Sequence, residues 1–163
     1  MTIIEGRTGW IIVDPLTAQE TAARAIAFAR QHLGTKPIVA VIFTHSHVDH
    51  FGGMLGIVSA EQASQQKLRI IAPDGFMEEA TSENVLAGVT MLRRSMFMYG
   101  KSLAHTPRGH IDTGLGKAPA YGTVGILAPT ELITRTGQEL DIDGLRFVFQ
   151  NTPASEAPAE MTF

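Results

Sequence analysis

The sequence has no cysteine in its 163 residues. This absence excludes disulfide bonds, thiolate metal ligands and cysteine nucleophiles. Cysteine usage therefore gives no information about whether the protein works in an oxidising or a reducing compartment. The sequence also lacks an uninterrupted apolar run of the roughly 20 residues that a membrane-spanning helix needs. Its amino end does not show the basic region, apolar stretch and cleavage site of a signal peptide. We therefore predict no membrane span and assign no cellular location.

Clustered basic residues are scarce as well. The formal net charge is -3 at pH 7, the isoelectric point is near 6.0, and Arg93-Arg94 is the one adjacent basic pair. Nucleic-acid binders usually carry a clustered basic face, so the composition argues against nucleic acid as a partner. With 44% hydrophobic and 18% charged residues, the chain can form one compact domain.

What the sequence does contain is a dense group of potential metal ligands, the segment His45-Ser46-His47-Val48-Asp49-His50. Neutral imidazole is the commonest transition-metal ligand. The segment follows a probable buried strand over 38–43 and precedes Gly52-Gly53, which is the setting of a metal loop at a strand end. A polar loop that is merely rich in histidine is the alternative interpretation.

The spacing within this segment predicts two ions. At a strand end His45 and His47 point the same way because side chains repeat every second residue, so one ion can be bound by both. Asp49 and His50 fall where the chain turns toward the next helix, and we expect them to face a second ion. Water between two such ions loses much of its proton affinity and becomes a nucleophile near neutral pH. The spacing therefore predicts a metal-dependent hydrolase.

The segment from His45 to Gly53 resembles the signature loop of the metallo-β-lactamase superfamily. Four other stretches resemble the alkylsulfatase branch, whose members hydrolyse dodecyl sulfate; they are residues 8–16, 98–100, 114–116 and 151–160. The resemblance runs along essentially the whole chain. It implies an α/β (α+β) fold of the αββα sandwich type, with two sheets between layers of helices and the metals at one edge.

The resemblance also implies which residues bind two zinc ions. His45, His47 and Glu156 would bind the first, with the glutamate replacing the third histidine of most of the superfamily. Asp49 and His50 would bind the second, and Asp49 would be the catalytic residue that holds the attacking water. Glu160 is a fallback ligand, with an exposed acid as its alternative. Ala154 stands where the family has glycine, so we expect backbone strain ahead of Glu156.

Family members complete the centre with a bridging glutamate and a further histidine beyond the Glu-Ala-Pro-Ala-Glu motif. We therefore expect residues 1–163 to form a partial catalytic domain, incomplete at both ends, without the later strands or any dimerisation or carboxyl-terminal domain. The parent enzyme would be a homodimer that is periplasmic or secreted, and the isolated chain would be inactive.

The predicted function is zinc-dependent hydrolysis of alkyl sulfate esters such as dodecyl sulfate. One alternative is another hydrolase of the superfamily, acting on a lactam, thioester or phosphodiester. A second alternative is a metal-binding or assembly module without turnover. Glu156 distinguishes an alkylsulfatase from the other hydrolases of the superfamily, because a histidine at that position would favour the others.

The local patterns predict an alternation of strands and helices. A strand pair 1–5 and 10–13 precedes a helix capped by Thr17 and ended by Gly34. Further strands are predicted at 68–72, 132–134, 139–142 and 145–150, with Asp143-Gly144 as a hairpin turn. Residues 77–99 are predicted to form a helix with one apolar face, and its methionines either fill core gaps or line an alkyl channel.

Residues 100–125 form a predicted long loop over the site. In it, Tyr121 is a candidate donor to a sulfate oxygen, with an ordinary packed tyrosine as the alternative. His105 and His110 are predicted not to be ligands.

Overall fold

Two β-sheets and a layer of helices make up the computed structural model, which describes residues 1–114 and 116–163. The larger sheet consists of β1 (Thr2–Glu5), β2 (Trp10–Val13), β3 (Ile38–Ile42), β4 (Arg69–Pro73) and β5 (Glu131–Ile133) in that order. The smaller sheet consists of β6 (Gln138–Ile142), β7 (Leu145–Asn151) and β8 (Met161–Thr162). The α-helices are α1 (Gln19–Leu33), α2 (Val48–Phe51), α3 (Ala60–Gln65), α4 (Phe76–Thr81) and α5 (Gly88–Met98). Leu115, within the 114–116 stretch, lies outside the described residues.

Strand direction determines where the loops meet. β2, β3, β4 and β5 are parallel neighbours, and β1 pairs with β2 as an antiparallel hairpin. The carboxyl ends of parallel strands share one edge of a sheet, so Asp14 after β2 and the histidine segment after β3 emerge side by side. β2 is buried along its whole length, which fits its continuous apolar run.

The core has two parts, one on each face of the larger sheet. On one face, Ile12 and Val41 pack with Ile26 of α1. On the other face, Ile11 and Ile42 pack against Phe149 of the smaller sheet, among others. The described residues thus form a helix layer and two stacked sheets, which confirms the predicted mixed α/β class.

The start of α1 differs from its prediction. Ala18 is the residue before the first turn, and no side chain caps the helix there, so the predicted cap at Thr17 is wrong. The Gln19 amide instead donates to the Thr123 carbonyl at 2.9 Å, and the Glu20 carboxylate accepts from the Thr123 hydroxyl at 2.7 Å. A distant loop therefore takes the place of a local cap. Gly34 ends the helix at φ 82°, as predicted.

Residues 77–99 also differ from their prediction. The segment is divided into α4, a π-helical turn over Ser82–Leu86, and α5. α4 is anchored by Phe76 and Ala80, whereas no residue of α5 is buried. The interpretation that the methionines fill core gaps is therefore wrong, because Met91 is 39% exposed, Met96 43% and Met98 76%. Helical spacing correctly gave the apolar stripe, but it cannot say whether anything covers that stripe.

The predicted long loop is present, without helix or strand in its described residues from 101 to 124. At its end Gly125 pairs with Gly53, which ties the loop to the segment behind the histidines. In the part of the chain that is described, no helix combines the length and apolarity needed to cross a membrane.

Candidate metal centre

The two sheets meet beside the histidine segment. His45 forms a β-bridge with Glu160, and the Met161 amide of β8 donates to the Thr44 carbonyl at 2.9 Å. The end of β3 is thereby joined to the chain that enters β8. This junction brings Glu156, far along the sequence, next to the histidines.

Three predicted ligands converge at this junction. Glu156 Oε1 lies 3.9 Å from His45 Nε2 and 3.6 Å from His47 Nδ1. One ligand atom from each of the three residues lies within 4.8 Å of the others. Two imidazole nitrogens and one carboxylate oxygen are a donor set of catalytic zinc sites.

The tautomer and the pKa of His45 both suit a metal ligand. Its Nδ1 lies 2.9 Å from the Thr44 hydroxyl, and that hydroxyl donates its hydrogen to Asp14 at 2.8 Å. The hydroxyl must therefore accept from Nδ1, which leaves the lone pair on Nε2. That Nε2 is buried and has no hydrogen-bond partner. Burial, and then the neighbouring His50 and His47, lower the pKa of His45, which favours the neutral form that binds metals.

An unpaired buried acceptor is costly, and an ion between Nε2 and Glu156 would satisfy it. The residues present thus fit a metal cofactor.

Asp49 and His50 adjoin this group. The His50 and His45 rings have centroids 3.9 Å apart, and His50 Nε2 lies 3.3 Å from Asp49 Oδ2. His50 Nδ1 donates to Asp14 Oδ2 at 2.9 Å. The bond to Asp14 first, and Asp49 second, raise the pKa of His50 to about 10. The same His50 contact lowers the pKa of Asp49.

Asp14 is a site residue that sequence reasoning missed. Its carboxylate accepts from the Thr44 amide at 2.8 Å, the Thr44 hydroxyl at 2.8 Å and His50 Nδ1 at 2.9 Å. Its backbone has φ 53°, a left-handed conformation that aspartate tolerates better than most residues. In the sequence, Asp14 is simply the residue that follows the predicted strand 10–13. Its place at the carboxyl end of a strand parallel to β3 was the available signal.

The turn that carries Glu156 is held by Glu160. The Glu160 carboxylate accepts from the Glu156 amide at 2.7 Å and the Ala157 amide at 2.9 Å. Glu160 is absent from the convergent group of His45, His47 and Glu156. Ala154 adopts φ 60°, so the expected left-handed position ahead of Glu156 is confirmed.

The other candidate residues lie in the long loop or behind the site. Tyr121 is 55% exposed, and Lys101 Nζ lies 3.7 Å from its ring centroid. His105 and His110 contact each other with ring centroids 5.1 Å apart, and the convergent ligand group found among the described residues includes neither. Glu83, for which the sequence analysis gave no role at the site, lies 3.5 Å from His47 Nε2.

The chain has relatives among characterised proteins and solved structures. A linear primary-alkylsulfatase of Pseudomonas sp. is 48% identical over 163 residues, which are 100% of this chain and 24% of that protein. The alkyl/aryl-sulfatase BDS1 of Saccharomyces cerevisiae is 48% identical over 161 residues, which are 99% of this chain and 25% of that protein.

The structure of the stereoselective inverting sec-alkylsulfatase Pisa1 from Pseudomonas sp. matches with a TM-score of 0.88 and 42% identity. The match covers 98% of this chain and 25% of that one. The chain thus spans about a quarter of the relatives that it matches. The family description that matches residues 1–149 is that of the metallo-beta-lactamase superfamily. The chain belongs to the metallo-β-lactamase superfamily.

Proposed function

We propose that this chain carries ligands and positioning groups of a zinc-dependent enzyme that hydrolyses alkyl sulfate esters. The observation that carries the proposal is the convergence of Glu156 with His45 and His47. Support also comes from the alkylsulfatases that are 48% identical across the chain. Because these relatives are about four times as long, the activity, the substrate and the partners of a whole enzyme all belong to the proposal.

The proposed ligands form two groups. His45, His47 and Glu156 would hold one zinc ion, and Asp49 and His50 would hold the second. When bound, the ions would lower the pKa of a water molecule and neutralise negative charge on the sulfate. The existing hydrogen bonds favour this assignment, since the lone pair of His45 Nε2 already points toward Glu156.

Asp49 is the proposed catalytic residue. Its side chain is 62% exposed, so water can reach it, and its contact with His50 keeps the carboxylate ionised. An ionised carboxylate accepts a hydrogen bond from an attacking water and thereby fixes its direction. Glu160 is proposed to support Glu156 through the turn, and Tyr121 remains a candidate donor to a sulfate oxygen.

A groove beside the site suits an alkyl tail. It runs from Val48 and Glu83 along α5, where Met91 and Leu92 line it. Methionine and leucine offer an adaptable apolar surface next to the proposed sulfate position. Met91 is therefore assigned to substrate contact rather than to filling a core, since α5 contributes nothing to the core.

Residues 1–163 are proposed to form part of a catalytic domain whose parent is a homodimer. The resemblance places a bridging glutamate and a further histidine outside this chain, so we expect the chain alone to bind metal without rapid turnover. Glu156 favours an alkyl sulfate over the lactam, thioester or phosphodiester substrates of histidine-ligated relatives. A metal-binding module without turnover is the remaining alternative for the chain by itself.

The test is hydrolysis of dodecyl sulfate, measured with and without added zinc for this chain and for a full-length version. We expect zinc-dependent hydrolysis only from the longer protein. Equal rates from the two proteins would contradict the partial-domain proposal, and no hydrolysis by the zinc-loaded longer protein would contradict the proposed substrate.

A matched measurement tests the ligands. We expect His47→Ala to abolish zinc uptake at the first site, and His105→Ala to leave it unchanged because His105 lies outside the ligand group. Stoichiometric zinc retained at the first site by His47→Ala would contradict the assignment.

A further inference from the structure

The His47 ring lies between two carboxylates. Its Nδ1 is 3.6 Å from Glu156 Oε1, on the side of the proposed ion. Its Nε2 is 3.5 Å from Glu83 Oε2, on the opposite side of the ring. The two side chains are similarly shielded, with 26% of His47 and 27% of Glu83 exposed. One edge of this imidazole thus faces the ligand group and the other faces a partly buried acid.

Neutral imidazole has one acceptor nitrogen and one donor nitrogen. If Nδ1 binds an ion, the proton must stay on Nε2, which lies 3.5 Å from Glu83 Oε2. Histidine ligands of metals commonly donate their other N–H to a carboxylate, which fixes the tautomer and the ring orientation. The Glu83–His47 pair supplies the carboxylate that this arrangement requires, on the nitrogen that the ion would leave protonated.

The simpler account of Glu83 is that its charge stabilises the start of a helix. That account fits Glu78 and Glu79, which lie in the first turn of α4. Glu83 lies about two turns after Phe76, where α4 begins, and falls within the π-helical turn Ser82–Leu86.

The π-helical turn also has its own hydrogen bonds. The Ala87 amide donates to the Ser82 carbonyl at 3.0 Å, and Asn84 Nδ2 donates to the Ala80 carbonyl at 2.8 Å. Turns of this kind occur mainly as single insertions in α-helices, often at functional sites. The helix-start account therefore does not explain Glu83.

The geometry points to Glu83 as a positioning residue that holds His47 with its proton on Nε2 and its Nδ1 lone pair toward the metal. This inference rests on the proposed ligand role of His47. Glu83 does not bind the ion in this role; it acts through the His47 ring.

The experiment measures zinc affinity of the whole chain by competition with a chromogenic chelator. We expect Glu83→Ala to weaken binding by roughly 10- to 100-fold, the usual loss when an outer carboxylate partner is removed. Glu83→Gln keeps an acceptor oxygen and should recover most of that loss. Glu78→Gln is the matched control, because it removes an exposed carboxylate of α4 and should leave the affinity unchanged.

A second readout separates positioning from stability. Nitrogen-15 NMR of the zinc-free chain reports which His47 nitrogen carries the proton. We expect the Nε2–H form to predominate in the wild type and in Glu83→Gln, and Glu83→Ala to shift the ring toward a mixture. A residue that only stabilised the helix would change the unfolding midpoint without moving this equilibrium. If Glu83→Ala fails to fold, Glu83→Asp, which withdraws the carboxylate by one methylene, takes its place.

The outcomes are distinct for the two proposals. Zinc binding that is lost in His47→Ala but equal in wild type and Glu83→Ala, with an unchanged His47 tautomer, would overturn the role of Glu83 alone. Zinc binding that is absent from the wild type, or unchanged in His47→Ala, would overturn the ligand assignment and the role of Glu83 with it.

Discussion

Asp14 joins the end of β2 to both halves of the site, so replacing it by alanine is the most informative perturbation. The side chain is 16% exposed and accepts three hydrogen bonds, two from Thr44 and one from His50. A net contribution of about 1 kcal/mol for each bond gives a loss of about 3 kcal/mol for Asp14→Ala. The left-handed backbone at φ 53° adds to the cost, because alanine tolerates it less well than aspartate.

Urea unfolding followed by circular dichroism would measure this loss. For a domain with roughly 10 kcal/mol of stability, the variant stays folded. With a slope of about 2 kcal/mol per molar urea, the unfolding midpoint should fall by about 1.5 M. Asp14→Asn keeps one acceptor oxygen and should lose about half as much.

Asp74 provides the matched control, since it follows the parallel strand β4 and is exposed. Asp74→Ala should change the stability by no more than about 0.5 kcal/mol. A loss below about 1 kcal/mol in Asp14→Ala would refute the reasoning, because it would mean that water replaces all three bonds. Asp14→Ala should also weaken zinc binding, since the bonds that orient His50 and the Thr44 hydroxyl would be gone.

Three further predictions concern turns, two of them beside the site and one, at Asp143, beside the start of β2. Ala154→Gly should raise stability by about 0.5 kcal/mol in urea unfolding, since relief of left-handed strain slightly exceeds the added entropy of the unfolded chain; a loss would contradict this. Glu160→Ala should weaken zinc affinity by about tenfold by loosening Glu156 without removing a ligand, and an affinity equal to wild type would contradict the supporting role. Hydrogen bonds from Thr8 lower the pKa of Asp143 below its usual 3.8. The ionised carboxylate therefore adds to the free energy of unfolding above pH 3.8, and this stabilisation is lost as the pH falls through the lowered pKa. Asp143→Asn should therefore be less stable than wild type at pH 7, with the difference vanishing in acid; a difference independent of pH would contradict it.

Much of the fold could be predicted because its signals are local. Asp143 and Gly144 have φ 51° and 84°, which is what an Asp-Gly hairpin turn requires, and β6 and β7 pair on either side of it. The predicted strand Trp10–Val13 has the observed bounds. These elements depend on side-chain alternation and turn chemistry within a few residues. Prediction failed where distant residues decided the outcome, as at the start of α1, where Thr123 replaced a local cap.

The ligand chemistry of the site followed from sequence because His45, His47, Asp49 and His50 are crowded into one segment and no packing argument explains them. The residues that support these histidines could not be predicted from the sequence. Asp14 and Glu83 are acids in ordinary local settings, one after a strand and one within a helical segment. Only the folded chain shows that Asp14 lies beside a ring nitrogen of His50 and Glu83 beside one of His47.

The sequence by itself determined the donor atoms, the strand that ends at them and the apolar faces of the larger sheet, since all of these depend on residue type and short spacing. Tertiary structure decided which acid reaches the histidines, which nitrogen of His45 is left without a partner, and whether an apolar stripe is covered. Those outcomes depend on parallel strand order and on the pairing of His45 with Glu160, contacts between residues far apart in the chain. Contacts of that kind leave no periodic pattern in a single sequence.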